Sequence, residues 1–593
     1  MDDIFSILNK RWHIKESDEK RTLFLEQRLN VPEQIARLLS NRGFSTPEEA
    51  QEFLNPTLKA SLPDPFIFKD MKRAVLRLEK ALLANEPIVL YGDYDVDGAT
   101  SSALFKKFFD ALGTPSRLYI PDRLKEGYGP NIPAFDAFSE AGIKLILTLD
   151  SGTTAFEPLA YAAEKGMDVI VIDHHISESH LPPAFALVNP NRYDEDPLIK
   201  KGYGNLAAVG VSFLTLVALN RHLREKNLYG QKFPKEPDLR LFLDLVALGT
   251  VADVVPLTGL NRTFVAQGLK IMKKRTNLGL KALSDIAKLN ETPEAYHAGF
   301  ILGPRINAGG RVGESSLGAH LLSTENSEEA RTISEKLHAL NQTRQEMESV
   351  MLQQAISKVE TLLQTNPLPA ALIVADETWH PGIIGIIAGR LKDRYDRPTC
   401  VIALENGIGK ASARSLSIVN LGQLIHQAKG LNLLVNGGGH AMAAGFTIEA
   451  TKIKEFEIFL TEKISKLLEE SNYKPTLNVD GKLSLDAITV DFLKILEQMA
   501  PFGMGNPTPR FMIPYLRIMN TSLIQNTHIR CTLRSETGKR LNAIAFRAFN
   551  TPLGEALMDA KDRPFHFVGT FRLDTWNGQE KIQMTIEDLA SVT

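Results

Sequence analysis

The spacing of apolar residues divides the chain into stretches of different texture. From about Lys69, short apolar runs alternate with helix-like segments: PIVLY at 87–91, RLYIP at 117–121, KLILTLD at 144–150 and DVIVID at 168–173. Runs of Ile, Val and Leu without polar alternation predict strands buried on both faces, hence a parallel sheet of βαβ units. Ahead of them the first 68 residues read as helical and polar. The hydroxyls, proline and acids of Ser45-Thr46-Pro47-Glu48-Glu49 mark one helix start there. Residues from about 205 to 253 read as helical throughout. Ser327 to Gln364, rich in Glu, Gln, Lys and Leu and free of Pro and Gly, predicts a long helix. An α/β pattern restarts at NPLPAALIVA and runs to about Lys466. The last texture is different: FMIPYLRIMNTSLI, HIRCTLRS, RLNAIAFRA, FHFVGTFRL and KIQMTIEDL alternate over strand lengths, with turn signals at Thr537-Gly538 and Asn577-Gly578. That pattern predicts a small β-barrel or sandwich.

The predicted fold class is therefore multidomain α/β. The expected divisions are an N-terminal helical region (1–68), a parallel-sheet catalytic domain (69–326), a connecting helix (327–366), a second α/β domain that binds substrate (367–470) and a C-terminal β-barrel (471–593). A chain of 593 residues has room for about three or four domains. Lys and Arg total 68 against 70 for Asp and Glu, so no global basic field marks a nucleic-acid binder, although local basic surfaces remain open. Two cysteines, Cys400 and Cys531, exclude a disulfide scaffold and a Cys-rich zinc site. The opening MDDIFSILNKRWHIK carries charges where a secretory signal needs an apolar run. The longest apolar stretch, Leu206 to Leu219, is 14 residues and too short to span a bilayer. A cytoplasmic protein with no membrane partner is the expectation.

The densest chemistry lies in YGDYDVDGATS. Asp93, Asp95 and Asp97 alternate directly after a buried strand, and Gly98 opens a helix. Two more strands end alike, LILTLD in Asp150 and VIVID in Asp173 followed by His174 and His175, while LFLDLVALGTVAD delivers Asp253 at a helix end. Ligands of open α/β sheets bind beyond the carboxyl ends of the strands. A single Asp there is commonly only a helix cap; several in register would repel one another unless cations neutralised them. Asp-x-Asp-x-Asp-Gly also begins an EF-hand loop, but the twelfth position is Leu104 and the preceding segment is a strand, so that reading fails. Carboxylates with one or two imidazoles and no thiolate suit Mn²⁺ or Mg²⁺ better than zinc. More than four acids imply two ions, an arrangement suited to in-line attack at phosphorus.

Together these residues resemble the DHH phosphoesterase superfamily, named for the triplet seen as Asp173-His174-His175. GDYDVDG, TLDSG, DHH, VADVVPL, GPRINAGGR, LHALNQTRQ, WHPGIIGIIAGRL, ASARS and GGGHAMAAGF follow the order found in its bacterial single-stranded-DNA-specific exonucleases, from about residue 70 to the end. The resemblance implies a 5′→3′ exonuclease that needs Mn²⁺ or Mg²⁺ and acts in recombination, mismatch repair and replication-fork rescue. It also implies a DHH catalytic domain, a DHH-associated second domain and an OB-fold barrel, with a single-strand-binding protein and a repair helicase as partners. Carried over by motif, Asp95, Asp97, Asp150, His174 and Asp253 would bind metal, with Asp93 a ligand or directly behind the ligands, and Asp97 and Asp150 would be catalytic as well. His175 would contact the scissile phosphate.

GPRINAGGR offers Arg305, Asn307 and Arg311 with small residues between them, and guanidinium forks match phosphate oxygens. WHPGIIGIIAGR sets Gly382 and Gly385 at a strand-to-helix junction, with Arg390 one or two turns on. GGGHAMAAGF reads as a glycine loop opening a helix, a phosphate-binding arrangement. In the family reading Arg390, Ser412, Arg414, Gly438, Gly439 and His440 grip the terminal nucleotides, across a channel that admits one strand and excludes a duplex. The barrel segment 510–550 carries Arg510, Arg517, Arg530, Arg534, Lys539, Arg540 and Arg547 against the single acid Glu536, interleaved with Phe511, Tyr515, Phe546 and Phe549. Single-strand binding by an OB-fold uses such a surface. Its deletion from about residue 472 is expected to weaken DNA binding yet leave cleavage chemistry possible. The rival readings are a DHH-type oligonucleotide or cyclic-dinucleotide phosphodiesterase, an aspartyl-phosphate phosphatase, and a non-catalytic single-strand-binding scaffold.

Overall fold

The computed structural model of the chain describes residues 6–123, 125–560, 563–574 and 580–592. The chain forms two compact units: 1–303 with 318–331 and 475–593, and 304–317 with 332–474.

In the first unit, strands Ser116–Tyr119, Ile88–Gly92, Leu145–Leu149, Asp168–Ile172 and Ala186–Val188 lie side by side in that order, all parallel. Every residue of Ile88–Gly92 and Leu145–Leu149 is buried, as their unbroken apolar runs require. Numbered within this sheet the order is 2-1-3-4-5, so the connections change direction between its first and third strands, Ile88–Gly92 and Leu145–Leu149. A ligand crevice opens at such a switch point, beyond the carboxyl ends. Helices Val96–Leu112, Ala208–Glu225 and Leu243–Ala252 pack on one another around this region. The expected continuous helix over 205–253 is broken: 226–238 is largely turn and loop.

The barrel closes through strands Phe511–Ile524, His528–Arg534, Arg540–Ala545, Lys581–Ser591 and Pro564–Asp574, the last pairing back onto the first. Gly538 makes the turn expected at Thr537-Gly538 with φ +87°; Asn577-Gly578 lies outside the described residues. The N-terminal stretch contains helices Glu19–Leu29, Glu33–Asn41 and Pro47–Leu54, the last opened by a capping box between Thr46 and Glu49. It is not wholly helical. Arg11–Ile14 forms a strand parallel to Thr476–Val479, and the Trp12 indole N–H donates to the buried Asp588 carboxylate at 3.1 Å. Leu25, Ile35 and Leu39 share one apolar core with Phe492, Phe511 and Phe567 of the barrel region.

In the second unit, strands Asn436–Gly439, Ala443–Glu449, Ile408–Arg414, Thr399–Glu405 and Leu372–Asp376 form a mixed sheet in that order, with only the last pair parallel. The long helix is Ser327–Leu363, and Ile384–Tyr395 follows the junction at Gly382. GGGHAMAAGF corrects an expectation: Gly437 to Gly439 belong to a strand, and the segment turns back through His440 into a second strand rather than opening a helix. The reason is legible in AAGFTIE, whose inward and outward residues alternate with period two. GPRINAGGR lies in the helix Gly303–Val312.

Candidate functional site

Asp93, Asp95 and Asp97 occupy the turn between Ile88–Gly92 and the helix Val96–Leu112. Asp95 is indeed that helix's N-cap, its carboxylate accepting from the N–H groups of Asp97 and Gly98 at 2.9 and 3.2 Å. Gly98 is there because the first helical turn lies on the backbone of Asp93: a Cβ on Gly98 would come within 2.4 Å of the Asp93 carbonyl oxygen. Asp150 ends its strand in a left-handed conformation, φ +64°, which Asp tolerates. Asp97 faces the N-terminus of Ala208–Glu225, where its two oxygens accept from Ala208 and Val209 at 2.7 and 2.8 Å.

The acids converge. Donor atoms of Asp93, Asp95 and Asp150 lie within 4.8 Å of one another; so do those of Asp97, His174 and Asp253, and those of Asp150, His174 and His175. His174 Nδ1 lies 3.0 Å from the Leu206 carbonyl, to which its N–H donates, leaving the Nε2 lone pair facing Asp150 at 3.3 Å, Asp253 at 3.7 Å and Asp97 at 4.0 Å. Burial and the neighbouring His175 push the His174 pKa down, so the ring is neutral and Nε2 is an acceptor among acceptors. Asp93 Oδ1, Asp150 Oδ1 and Asp253 Oδ2 are buried without a hydrogen-bond partner. Burial, then the neighbouring acids, raise Asp97 to about 7 and Asp253 to about 9, and hold Asp93 and Asp150 well above the usual carboxylate range. Without a cation these carboxyls must take up protons to lie so close; ionised, they and the His174 lone pair are all acceptors, and divalent cations satisfy that arrangement where protein donors do not. The donor set of hard oxygens with one neutral imidazole fits Mn²⁺ or Mg²⁺.

His175 belongs to a different local balance. Its Nδ1 meets Asp173 Oδ1 at 2.7 Å, and although burial opposes the charge, that carboxylate raises the imidazole to about 9. Asp173 is itself held below the usual range: burial pushes up, but His175, His174 and the Thr153 N–H outweigh it. The DHH motif contains Asp173, but the sequence assigns it no role. Nor does it single out Asn189 and Asn191, whose amides donate to the carbonyls of His175 and His174 at 2.8 and 2.7 Å, or Tyr128, whose hydroxyl lies 3.3 Å from His175 Nδ1. The asparagines follow a short strand in VNPNR, which gave no signal because their targets lie in another loop.

The remaining expected contacts gather in the second unit. Arg311 donates to the Gly382 carbonyl at 2.9 Å, and Arg305 Nε lies 3.3 Å from His338 Nδ1. Arg390 reaches Glu348, which also pairs with Arg344. Ser412 and Arg414 meet at 3.2 Å and sit against Gly385 in the first turn of Ile384–Tyr395. Burial lowers the pKa of Arg305 and Arg414, a sign of cations partly stripped of water. Gly438, Gly439 and His440 are exposed at the sheet edge, and Asn307 is half-buried.

Three family models match the chain in order: the DHH family N-terminal domain over 87–250, the DHHA1 domain over 368–466 and the RecJ OB domain over 479–588. The single-stranded-DNA-specific exonuclease RecJ of Bacillus subtilis is 36% identical over 98% of this chain and 71% of its own length. Its namesake from Salmonella typhimurium is 34% identical over 97% of this chain and 98% of its own. The crystal structure of RecJ with Mn²⁺ from Thermus thermophilus superposes with a TM-score of 0.80 at 28% identity, covering 98% of this chain and 80% of that one. The same protein with Mg²⁺ gives 0.74 at 26%, covering 98% and 78%. On this agreement of sequence, fold and acidic centre, the chain belongs to the RecJ family of single-stranded-DNA-specific exonucleases.

Proposed function

We propose that the chain hydrolyses the phosphodiester bonds of single-stranded DNA from the 5′ end and releases nucleotides, using two divalent ions, Mn²⁺ or Mg²⁺. The observation that carries this reading is the crowded centre, where the His174 Nε2 lone pair and unpartnered carboxyl oxygens of Asp150 and Asp253 face one another. Asp93, Asp95 and Asp150 would hold one ion, and Asp97, His174 and Asp253 the other, with Asp150 near both groups. Ions so held supply water activation near neutral pH and offset charge on phosphoryl oxygens. The chain supplies the rest. Asp97 is fixed by two N–H bonds, and the Asp173–His175 contact keeps His175 protonated, so that its other ring N–H can donate to a non-bridging oxygen of the substrate.

Arg305, Asn307, Arg311, Arg390, Ser412, Arg414, Gly438, Gly439 and His440 would hold the DNA backbone, and the barrel would bind the strand beyond the reacting bond. We take the domain limits as 69–326, 367–470 and 471–593, after the helical region and around the connecting helix. Action in the cytoplasm in recombination, mismatch repair and fork rescue, beside a single-strand-binding protein and a repair helicase, completes the reading. No single helix among the described residues is long and apolar enough to cross a membrane. The barrel disfavours the oligonucleotide and cyclic-dinucleotide alternatives, because such small substrates give it nothing to hold.

The test is digestion of 5′- and 3′-labelled single strands with Mn²⁺, Mg²⁺ or EDTA. Label should leave first from the 5′ end, EDTA should stop the reaction, and a blunt duplex should resist. Asp97→Ala should lower the rate roughly a thousandfold or more, since charge stabilisation by the ions is worth several kcal/mol. Undiminished digestion in EDTA would refute the metal reading, and first release of the 3′ label would refute the polarity.

A further inference from the structure

Beside Asp253 the first unit carries a groove of 990 Å³ that the exonuclease reading leaves unused. Val251, Ala252 and Val254, the neighbours of Asp253, form part of its wall. Tyr296 and Phe300 form another part, 58% and 70% exposed, their rings stacked 5.3 Å apart at 26°. Met504 and Val254 add two more large apolar side chains open to solvent. Contiguous exposed apolar surface of this kind marks a binding site more often than an accident of folding.

Two backbone features point the same way. Val254 has φ +61°, a conformation that a β-branched residue adopts only when its surroundings force it. The turn lets the Asp253 carboxylate reach the metal centre while the Val254 side chain stays in solvent at the groove. Phe300 lies in a single π-helical segment, His297–Leu302, a rare geometry concentrated at functional sites. That segment ends against the centre: a Cβ on Gly303 would stand 3.4 Å from Ala252 Cβ and 3.8 Å from Val96 Cγ2. Charge then narrows the occupant. The groove offers Lys270 against Glu294 and Glu497, so it does not attract phosphates. The faces of bases need no charge, and every base has one.

Resting on the exonuclease reading, we propose that this groove stacks nucleobases of the strand whose backbone runs into the metal centre. Tyr296 and Phe300 are the platform and Val254 the edge beside Asp253. The apolar walls would suit a protein segment as well, but Ala252 and Val254, which flank the metal-centre residue Asp253 and line the groove, favour the strand.

The test uses the full chain in EDTA, with an oligothymidylate and an abasic strand of equal length as probes. Tyr296→Ala with Phe300→Ala should weaken binding of oligothymidylate by roughly tenfold or more, the usual loss for stacked bases. The slope of affinity against salt should stay unchanged, because no phosphate contact is removed. On the abasic strand the same double variant should cost nothing further, and Phe300→Trp should keep the parent's affinity for oligothymidylate. Equal losses on both strands, or no loss on either, would overturn the proposal, the second result pointing to a protein segment. A parent chain that binds and cleaves no single strand would overturn the exonuclease reading and this proposal with it.

Discussion

His175 and Asp173 meet at 2.7 Å, and that contact leaves two adjacent histidines with different charges. His174, turned toward Leu206 and depressed by burial, stays neutral; His175, beside a carboxylate fixed by three backbone N–H groups, stays protonated. In the metal-free protein Asp173→Asn should return the His175 pKa from about 9 toward the ordinary value of about 6.5. Proton NMR of the imidazole would follow this, and cleavage above pH 7 should fall with it. The acids carry a pH dependence of the opposite kind. Asp253 and its neighbours titrate higher folded than unfolded, so the folded chain binds more protons and metal-free stability should fall as pH rises from about 4 to about 9. Asp253→Asn should therefore be more stable than the parent in EDTA at pH 8, on the order of 1–2 kcal/mol by denaturation, and inactive. The residue types in this site were legible because carboxylates after buried strands are conspicuous. Asp173, Asn189, Asn191 and Tyr128 were not given roles, because each acts on a neighbour that only folding supplies.

The catalytic sheet shows how far periodicity reaches at the scale of the element. Four of its five strands are legible as apolar runs, the short Ala186–Val188 being the exception, and their parallel order follows from the helices between them. The switch between Ile88–Gly92 and Leu145–Leu149 brings Asp93 and Asp150 together. The helix Val96–Leu112 completes that junction only because Gly98 lets it rest on Asp93. Gly98→Ala should displace the turn, lower metal affinity at least about tenfold by titration calorimetry, and reduce cleavage in proportion. Where an element carries two signals, the stronger one is harder to see. Three glycines suggested a loop before a helix, yet the alternation of AAGFTIE governs and the segment is a strand pair.

Across the whole molecule, the N-terminal residues are inseparable from the barrel. Arg262, 2% exposed, lies over the Phe53 ring at 3.7 Å and donates to the carbonyls of Phe53, Gln498 and Ala500. Burial and Arg42 lower its pKa to about 10. Arg262→Ala should destabilise the first unit by about 3–5 kcal/mol in chemical denaturation, because several buried carbonyls lose their partner. Arg262→Lys should not restore it, since one ammonium cannot copy the fork. The shared core also revises the expected truncation: removing residues from about 472 would uncover Leu25, Ile35 and Leu39 and compromise folding as well as DNA binding. Most strands of the catalytic sheet and the barrel, the acidic residues and the metal class are legible in the sequence, because burial period and residue chemistry are local properties. Only tertiary structure shows that the first described strand pairs with one more than 460 residues away, that two adjacent histidines differ in charge, and that a strained valine edges an open groove. Those depend on which distant groups share low-dielectric space, and no short window of residues contains that information.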